Sequence, residues 1–212
     1  SIKVANLDSV ATMNQRAFEG CTSLESVKLS SNLQSIPDYA FYGCEKLTSV
    51  ELPHSFSSVG NYAFYGTSIS GDINLSTATY TIGNGAFANC PNIDSIIVPE
   101  GNPVYRNLEN GMVVDGNDKI VYIPASYEGT FTIDTDSQFG EYAFGGDRSK
   151  VNFVVAEGVT EIPAYAFAGV KSVSTITLSS TVKKIGEGAF KNSEIVSIAY
   201  ANGNLNGLEE IG

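Results

Sequence analysis

Apolar residues return along this chain in a fixed order of spacings. Counted from an alanine, they fall at −7, −4, 0, +1, +7, +10 and +12: Leu33, Ile36, Ala40, Phe41, Leu47, Val50 and Leu52 in one segment, and Val159, Ile162, Ala166, Phe167, Val173, Ile176 and Leu178 in another. The Ala-Phe pair recurs at Ala17-Phe18, Ala40-Phe41, Ala63-Phe64, Ala86-Phe87, Ala143-Phe144, Ala166-Phe167 and Ala189-Phe190. Neighbouring alanines stand 23 residues apart, except Ala86 and Ala143, which are 57 apart. A period in the twenties predicts a stacked repeat, in which one unit cannot bury its own apolar face and needs its neighbours. Positions +10 and +12 have the two-residue alternation of a strand, so Val50-Glu51-Leu52 turns Glu51 to the opposite face. The spacing −4, 0, +1, +4 is helical instead, and Pro37-Asp38-Tyr39-Ala40-Phe41 reads as a short helix opened by proline. The expected fold class is α/β: a solenoid of ~23-residue coils, with a parallel sheet on one face and short helical turns on the other.

The phenylalanine at +1 is present in all seven marked coils and is expected to point inward and stack as a spine, beside an alanine kept small by neighbouring backbone. Tyrosines at −1 (Tyr39, Tyr62, Tyr142, Tyr165) and +2 (Tyr42, Tyr65) read as a half-buried outer packing row. Cys21, Cys44 and Cys90 share position +4, where other coils carry Thr67, Val170 or Ser193. Three thiols in a repeat column describe small core residues better than a disulfide framework or a metal site. A bond between Cys21 and Cys44, in adjacent coils, is the lesser alternative.

Departures from the pattern carry information as well. In the third coil Ile69 comes one position early, while Ile73 and Leu75 keep strand register. The seventh coil is one residue short, with Ile195, Ile198 and Tyr200 in the strand places. A polar loop, 201–207, follows it, and Leu208-Glu209-Glu210-Ile211-Gly212 begins a coil that stops before an Ala-Phe pair. Ser1-Ile2-Lys3-Val4 likewise reads as the strand of an earlier coil, so the natural chain is expected to extend past both ends or to be covered there. The long interval holds a coil without its Ala-Phe pair and an insertion, at about 100–134. Within it Gly111-Met112-Val113-Val114 and Lys119-Ile120-Val121-Tyr122-Ile123 flank Asp115-Gly116-Asn117-Asp118, a hairpin signature. Ile120 to Pro124 also resembles an ordinary strand followed by proline, so the sheet is expected to continue through it. Residues 1–212 thus read as one solenoid with a variant coil.

Composition then narrows the partners. With 42% hydrophobic and 17% charged residues the chain is expected to be ordered. Its 12 basic residues against 23 acidic ones give a net charge of −11 and form no cluster suited to a phosphate backbone or an anionic membrane. No apolar run approaches the roughly 20 residues of a membrane-spanning helix.

The segments Leu24-x-x-Val27-x-Leu29, Leu47-x-x-Val50-x-Leu52-Pro53 and Val173-x-x-Ile176-x-Leu178, each after an Ala-Phe segment, resemble the BspA-like class of leucine-rich repeats. Gly101-Asn102-Pro103-Val104-Tyr105 with Gly111-Met112-Val113-Val114 looks like the variant coil of that class. The resemblance implies a right-handed leucine-rich-repeat solenoid, carried by bacterial cell-surface and secreted proteins of which several are adhesins. It brings no catalytic motif, and an extracellular or cell-surface location is what it leads one to expect.

The residues themselves offer little chemistry. His54 is the lone histidine and sits in an inter-coil turn. Asp134-Thr135-Asp136 lacks the glycine and distal glutamate of a calcium loop, and Asp115 and Asp118 belong to a turn. Glycines such as Gly43, Gly66 and Gly169 mark coil corners and not a phosphate cradle. No catalytic residue, metal site or cofactor is expected, and the chain is read as a non-enzyme. What remains is surface: positions +9 and +11 of the strands, namely Ser26 and Lys28, Ser49 and Glu51, Asp72 and Asn74, Ser95 and Ile97, Asn152 and Val154, Thr175 and Thr177. These form two columns on the sheet face, with Ile97 and Val154 exposed, and an extended sheet face is where solenoids commonly bind. The expected partner is a protein, a host extracellular or cell-surface one included; a glycan is the alternative, favoured by Asn, Asp and Thr near tyrosines and disfavoured by the absence of Trp.

Overall fold

The computed structural model describes residues 2–54, 56–201 and 208–212. The polar loop read at 201–207 lies, beyond Ala201, outside the described residues. Over the rest, coils stack with their strands side by side in parallel. On the front face Val4–Asn6, Ser26–Lys28 and Ser49–Glu51 pair in register, Val27 opposite Val50. Gly71–Asn74 pairs with Ile93–Ile97 across a bulge beside Gly71, where Ile69 falls early. Farther along, Gly129–Ile133, Val151–Val155, Thr175–Leu178 and Ser197–Tyr200 form a four-stranded sheet, with Ile176 facing Ile198 and Leu178 facing Tyr200. The short seventh coil therefore keeps strand register.

A second column of two-residue strands runs down the other side: Ser35–Ile36, Ser58–Val59 and Thr81–Ile82, then Glu161–Ile162, Lys184–Ile185 and Glu210–Ile211. Between the columns Leu24, Leu47, Ile36, Phe41 and Phe64 are almost wholly buried. The phenylalanines stack ring on ring at 5.2–5.5 Å from Phe18 through Phe41 and Phe64 to Phe87, and again from Phe144 through Phe167 to Phe190.

The turn segments are not helical. Among the described residues there is no helix, and the reason is visible in the backbone of each Ala-Phe turn. Tyr39 and Gly43 both have positive φ, 57° and 67°, as do Tyr62 and Gly66, Tyr165 and Gly169. A left-handed residue every fourth position stops a right-handed helix before it closes a second bond, at a cost of order 1 kcal/mol for each tyrosine. Hydrogen bonds then alternate in direction. The N–H groups of Tyr39, Phe41 and Gly43 donate to Asn61, Ala63 and Tyr65 of the next coil, whereas those of Ala40, Tyr42 and Cys44 close tight turns onto Pro37, Tyr39 and Phe41. The spacing that looked helical is a ladder between coils.

The insertion between Ile97 and Gly129 departs from expectation too. Tyr105–Asn107, Val113–Asp115 and Ile120–Tyr122 form a small antiparallel sheet. Ile120 does not continue the front sheet as expected; it bridges Phe139 in parallel, in the second column, and the front strand of that coil is Gly129–Ile133. The run from Ile120 to Phe131 is shorter than the matching run in an ordinary coil, so no Ala-Phe turn is made there. Consequently the stack ends at Phe87 and starts again at Phe144, and the core divides into two clusters.

Arg148 fills the junction. Only 4% exposed, its guanidinium donates to the carbonyls of Phe144, Gly145, Pro124 and Ile123 at 3.0–3.2 Å, satisfying backbone oxygens left over where the coils change rung. Burial pulls its pKa down to about 10.

Candidate functional site

The sheet-face positions arise from the alternation of the strands: each inward valine or isoleucine forces its neighbours outward. Lys28, Ser49, Glu51, Asp72, Asn74, Ile97 and Asn152 are exposed, while Ser26, Ser95, Thr175 and Thr177 are half-buried. Ile97 is 39% exposed as expected, but Val154 is only half-buried, because Thr132 and Thr177 flank it in register. Register brings Ser26 beside Ser49 and Lys28 beside Glu51. It likewise sets Asp72 beside Ser95 and Asn74 beside Ile97. Lys28 also pairs with Asp8 at 2.9 Å, and the Thr175 and Ser197 hydroxyls share a hydrogen bond of 2.8 Å.

The twelve positions are not one uninterrupted surface. The hairpin sheet, closed by Arg106 on Asp118, separates the Ser26 to Ile97 group from the Asn152 to Thr177 group. Each group adjoins a recess. One, about 370 Å³, lies between Lys28, Glu51, Asp8 and Pro53, with the exposed His54 on its edge. The other, about 280 Å³, lies among Asn152, Thr175, Lys150 and Ser174.

The thiols serve packing. Cys44 and Cys90 donate to the carbonyls of Phe18 and Phe64 in the preceding coils, both at 3.0 Å, and the three cysteines are not bonded to one another. Burial pushes the thiols of Cys44 and Cys90 up to about 11, far from a nucleophilic thiolate. Among the described residues no three His, Cys, Asp or Glu side chains converge as metal ligands, and no helix is long and apolar enough to cross a membrane.

One feature the sequence reading did not assemble lies on the turn face. Tyr39 stacks on Tyr62 and Tyr42 on Tyr65, with centroids 5.1 and 5.0 Å apart. Tyr142, from beyond the insertion, meets both Tyr62 and Tyr65 edge-on and stacks loosely on Tyr165. Only Tyr142 is fully buried; the others are half-buried, as the outer row was expected to be. The signal available in the sequence was Gly85 and Ala88, which stand where the two tyrosine rows would otherwise continue. Burial raises the Tyr62 hydroxyl and pushes that of Tyr65 up to about 12.

Stacked parallel coils of about 23 residues, front strands carrying inward leucine and valine, and a phenylalanine spine in two stacks define a leucine-rich-repeat solenoid. The chain belongs to the BspA-type leucine-rich repeat family, whose profile matches residues 1–108 and 137–210 in six copies. Similar solved structures include a leucine-rich cell surface protein from Faecalibacterium prausnitzii, 24% identical with a TM-score of 0.59, covering 91% of this chain and 45% of the other. A leucine-rich repeat protein from Eubacterium ventriosum is 24% identical with a TM-score of 0.63, covering 87% and 56%. The pneumococcal vaccine antigen PcpA is 19% identical with a TM-score of 0.61, covering 84% and 51%. The chain thus spans about half the length of these proteins, and the likeness shows a shared fold. No curated protein matches the sequence.

Proposed function

We propose that residues 1–212 form a single non-enzymatic recognition unit of a cell-surface or secreted protein, binding a protein partner through the sheet face. The observation that carries this reading is the register of the outward columns. Ser26 with Ser49 and Asp72 with Ser95 in one, and Lys28 with Glu51 and Asn74 with Ile97 in the other, are held side by side on parallel strands, beside a recess. The serines, Asp72 and Asn74 give a partner hydrogen-bonding groups with little side-chain entropy to lose. Family membership supports it, since structural neighbours include proteins described as a cell surface protein and a vaccine antigen. An adhesive role toward host extracellular proteins is the specific form proposed.

A pull-down from extracellular-matrix and cell-surface protein fractions, followed by binding assays with the protein so identified, tests the reading. Glu51→Arg with Asn74→Arg is expected to weaken that interaction at least tenfold while leaving the circular dichroism spectrum intact. An unchanged affinity would rule out the sheet face.

A further inference from the structure

The turn face holds a groove of about 350 Å³ between its two tyrosine rows. Tyr39, Tyr62 and Tyr165 line it from one row and Tyr42 and Tyr65 from the other, with Glu141, Lys191 and Asn192 among the polar groups that complete it. We propose that this groove is a saccharide-binding site that takes one or two pyranose rings, distinct from the sheet face.

The chemistry of the lining selects the ligand. Tyrosine ring edges and hydroxyls, one carboxylate, one ammonium and one amide offer apolar contact, acceptors and donors within a single small concavity. A sugar ring has hydroxyls that both donate and accept, and carbons that pack in van der Waals contact with the tyrosine ring edges, so it answers every one of these groups. An apolar ligand would strand the hydroxyls and the carboxylate, and an anion would meet Glu141. A quaternary amine would need an open ring face, yet the protein's own cations already cover the outermost tyrosines: the Arg16 guanidinium lies 4.2 Å from the Tyr39 centroid, and the Lys191 ammonium 5.7 Å from that of Tyr165.

The left-handed backbone of this column, with φ of 57°, 54°, 60° and 54° at Tyr39, Tyr62, Tyr142 and Tyr165, is shared by Arg16, Gly85 and Gly188; it belongs to the turn and sets the direction in which the rings leave the chain. The groove is also fixed before any ligand arrives. The Tyr165 hydroxyl donates to Glu187 at 3.0 Å and that of Tyr62 to Glu141 at 3.4 Å, so little ordering remains to be done on binding. Gly85 lies against the Tyr62 ring, where an added Cβ would come within 2.8 Å of it, so glycine at this position lets the ring keep its place.

The chain contains no Trp, so its emission comes from its 11 tyrosines, of which Tyr39, Tyr42, Tyr62, Tyr65, Tyr142 and Tyr165 line the groove. The test is a titration of the 212-residue chain with methyl glycosides and disaccharides of glucose, galactose, mannose and N-acetylglucosamine, guided by a glycan array. At least one sugar is expected to shift the emission saturably, with a millimolar or tighter Kd. Glu141→Gln and Tyr165→Gly should each weaken binding at least tenfold; the glycine variant repeats the residue found at Gly85 and Gly188, and circular dichroism checks its fold. Glu51→Arg with Asn74→Arg should leave sugar binding unchanged, which separates this site from the sheet-face reading. No binding by any sugar on the array, binding indifferent to both groove variants, or occupation of the groove by choline, inorganic phosphate or a proline-rich peptide in place of sugar would overturn the proposal.

Discussion

Tyr142 meets Tyr62 edge to face, with ring centroids 5.1 Å apart and planes at 89°. The contact joins the two halves of the solenoid on the outside, at the level where the phenylalanine spine is interrupted within. Gly145 completes it by lying against Ala88, so close that a Cβ on the glycine would stand 3.1 Å from the alanine methyl. Outer tyrosines and an inner arginine thus replace the ring stacking that holds ordinary coils together.

Removing that arginine should be costly. Arg148→Ala strands four buried carbonyls, and a loss of about 3–5 kcal/mol is expected in urea denaturation. Arg148→Lys should recover little of it, because an ammonium has three donors and no planar fork to span carbonyls from two coils. A loss under about 1 kcal/mol for Arg148→Ala would show that the junction does not depend on these bonds.

The spine predicts a gradient along its length. Phe41 and Phe64 are fully buried between neighbouring rings, whereas Phe18 has one stacked partner and is half-buried. Truncation of Phe41 or Phe64 to alanine is expected to cost about 3–5 kcal/mol, and that of Phe18 clearly less. Equal losses at all three positions, measured by chemical denaturation, would contradict the stacked order.

Two glycines separate strain from contact. At Gly43 φ is 67° and nothing lies within 4 Å of an added Cβ, so Gly43→Ala should cost only about 1 kcal/mol of backbone strain. At Gly60 an added Cβ would meet the Asp38 backbone nitrogen at 2.5 Å, so Gly60→Ala must push two coils apart and should cost several times more. Thermal denaturation of both variants checks the ranking.

Alkaline pH should weaken the fold. Burial raises the thiols of Cys44 and Cys90 to about 11, the Tyr65 hydroxyl to about 12, and those of Tyr62 and Tyr122 as well. Groups whose folded pKa is raised contribute fully below their unfolded values, about 8.5 for Cys and 10 for Tyr, and lose that contribution as pH climbs through the folded ones. Arg148, lowered by burial, acts in the opposite sense above about pH 10, but five groups stand against one. The urea midpoint should hold through neutrality and decline from about pH 9 upward. A midpoint that is flat, or rises, from there to about pH 11 would contradict the burial of these side chains.

Much of this architecture was legible in the order of residues. The Ala-Phe register, the inward Val50 and Ile176 and the outward Glu51 and Thr177 follow from local spacing, which repetition makes unambiguous. The turn is ambiguous in sequence because Ile36, Ala40, Phe41 and Cys44 share one side of a helix and equally one side of a ladder of turns. What decides between them is the left-handed backbone at Tyr39 and Gly43, stabilised by hydrogen bonds to a coil that local spacing does not see. Arg148 was invisible for a related reason. Its column holds exposed Glu45 and half-buried Lys171 elsewhere, and only the missing turn of the inserted coil draws it inward. The tyrosine groove, likewise, needs Tyr62 and Tyr142 brought together across that insertion.

Hydroxyl-radical footprinting of the chain, alone and bound to the protein captured from the extracellular fractions, tests the central claim most directly. Lys28 and Ile97 should lose reactivity on binding, while Tyr39 and Tyr165 on the turn face keep theirs. Protection confined to the tyrosines, with the strand residues as reactive as in the free chain, would contradict it.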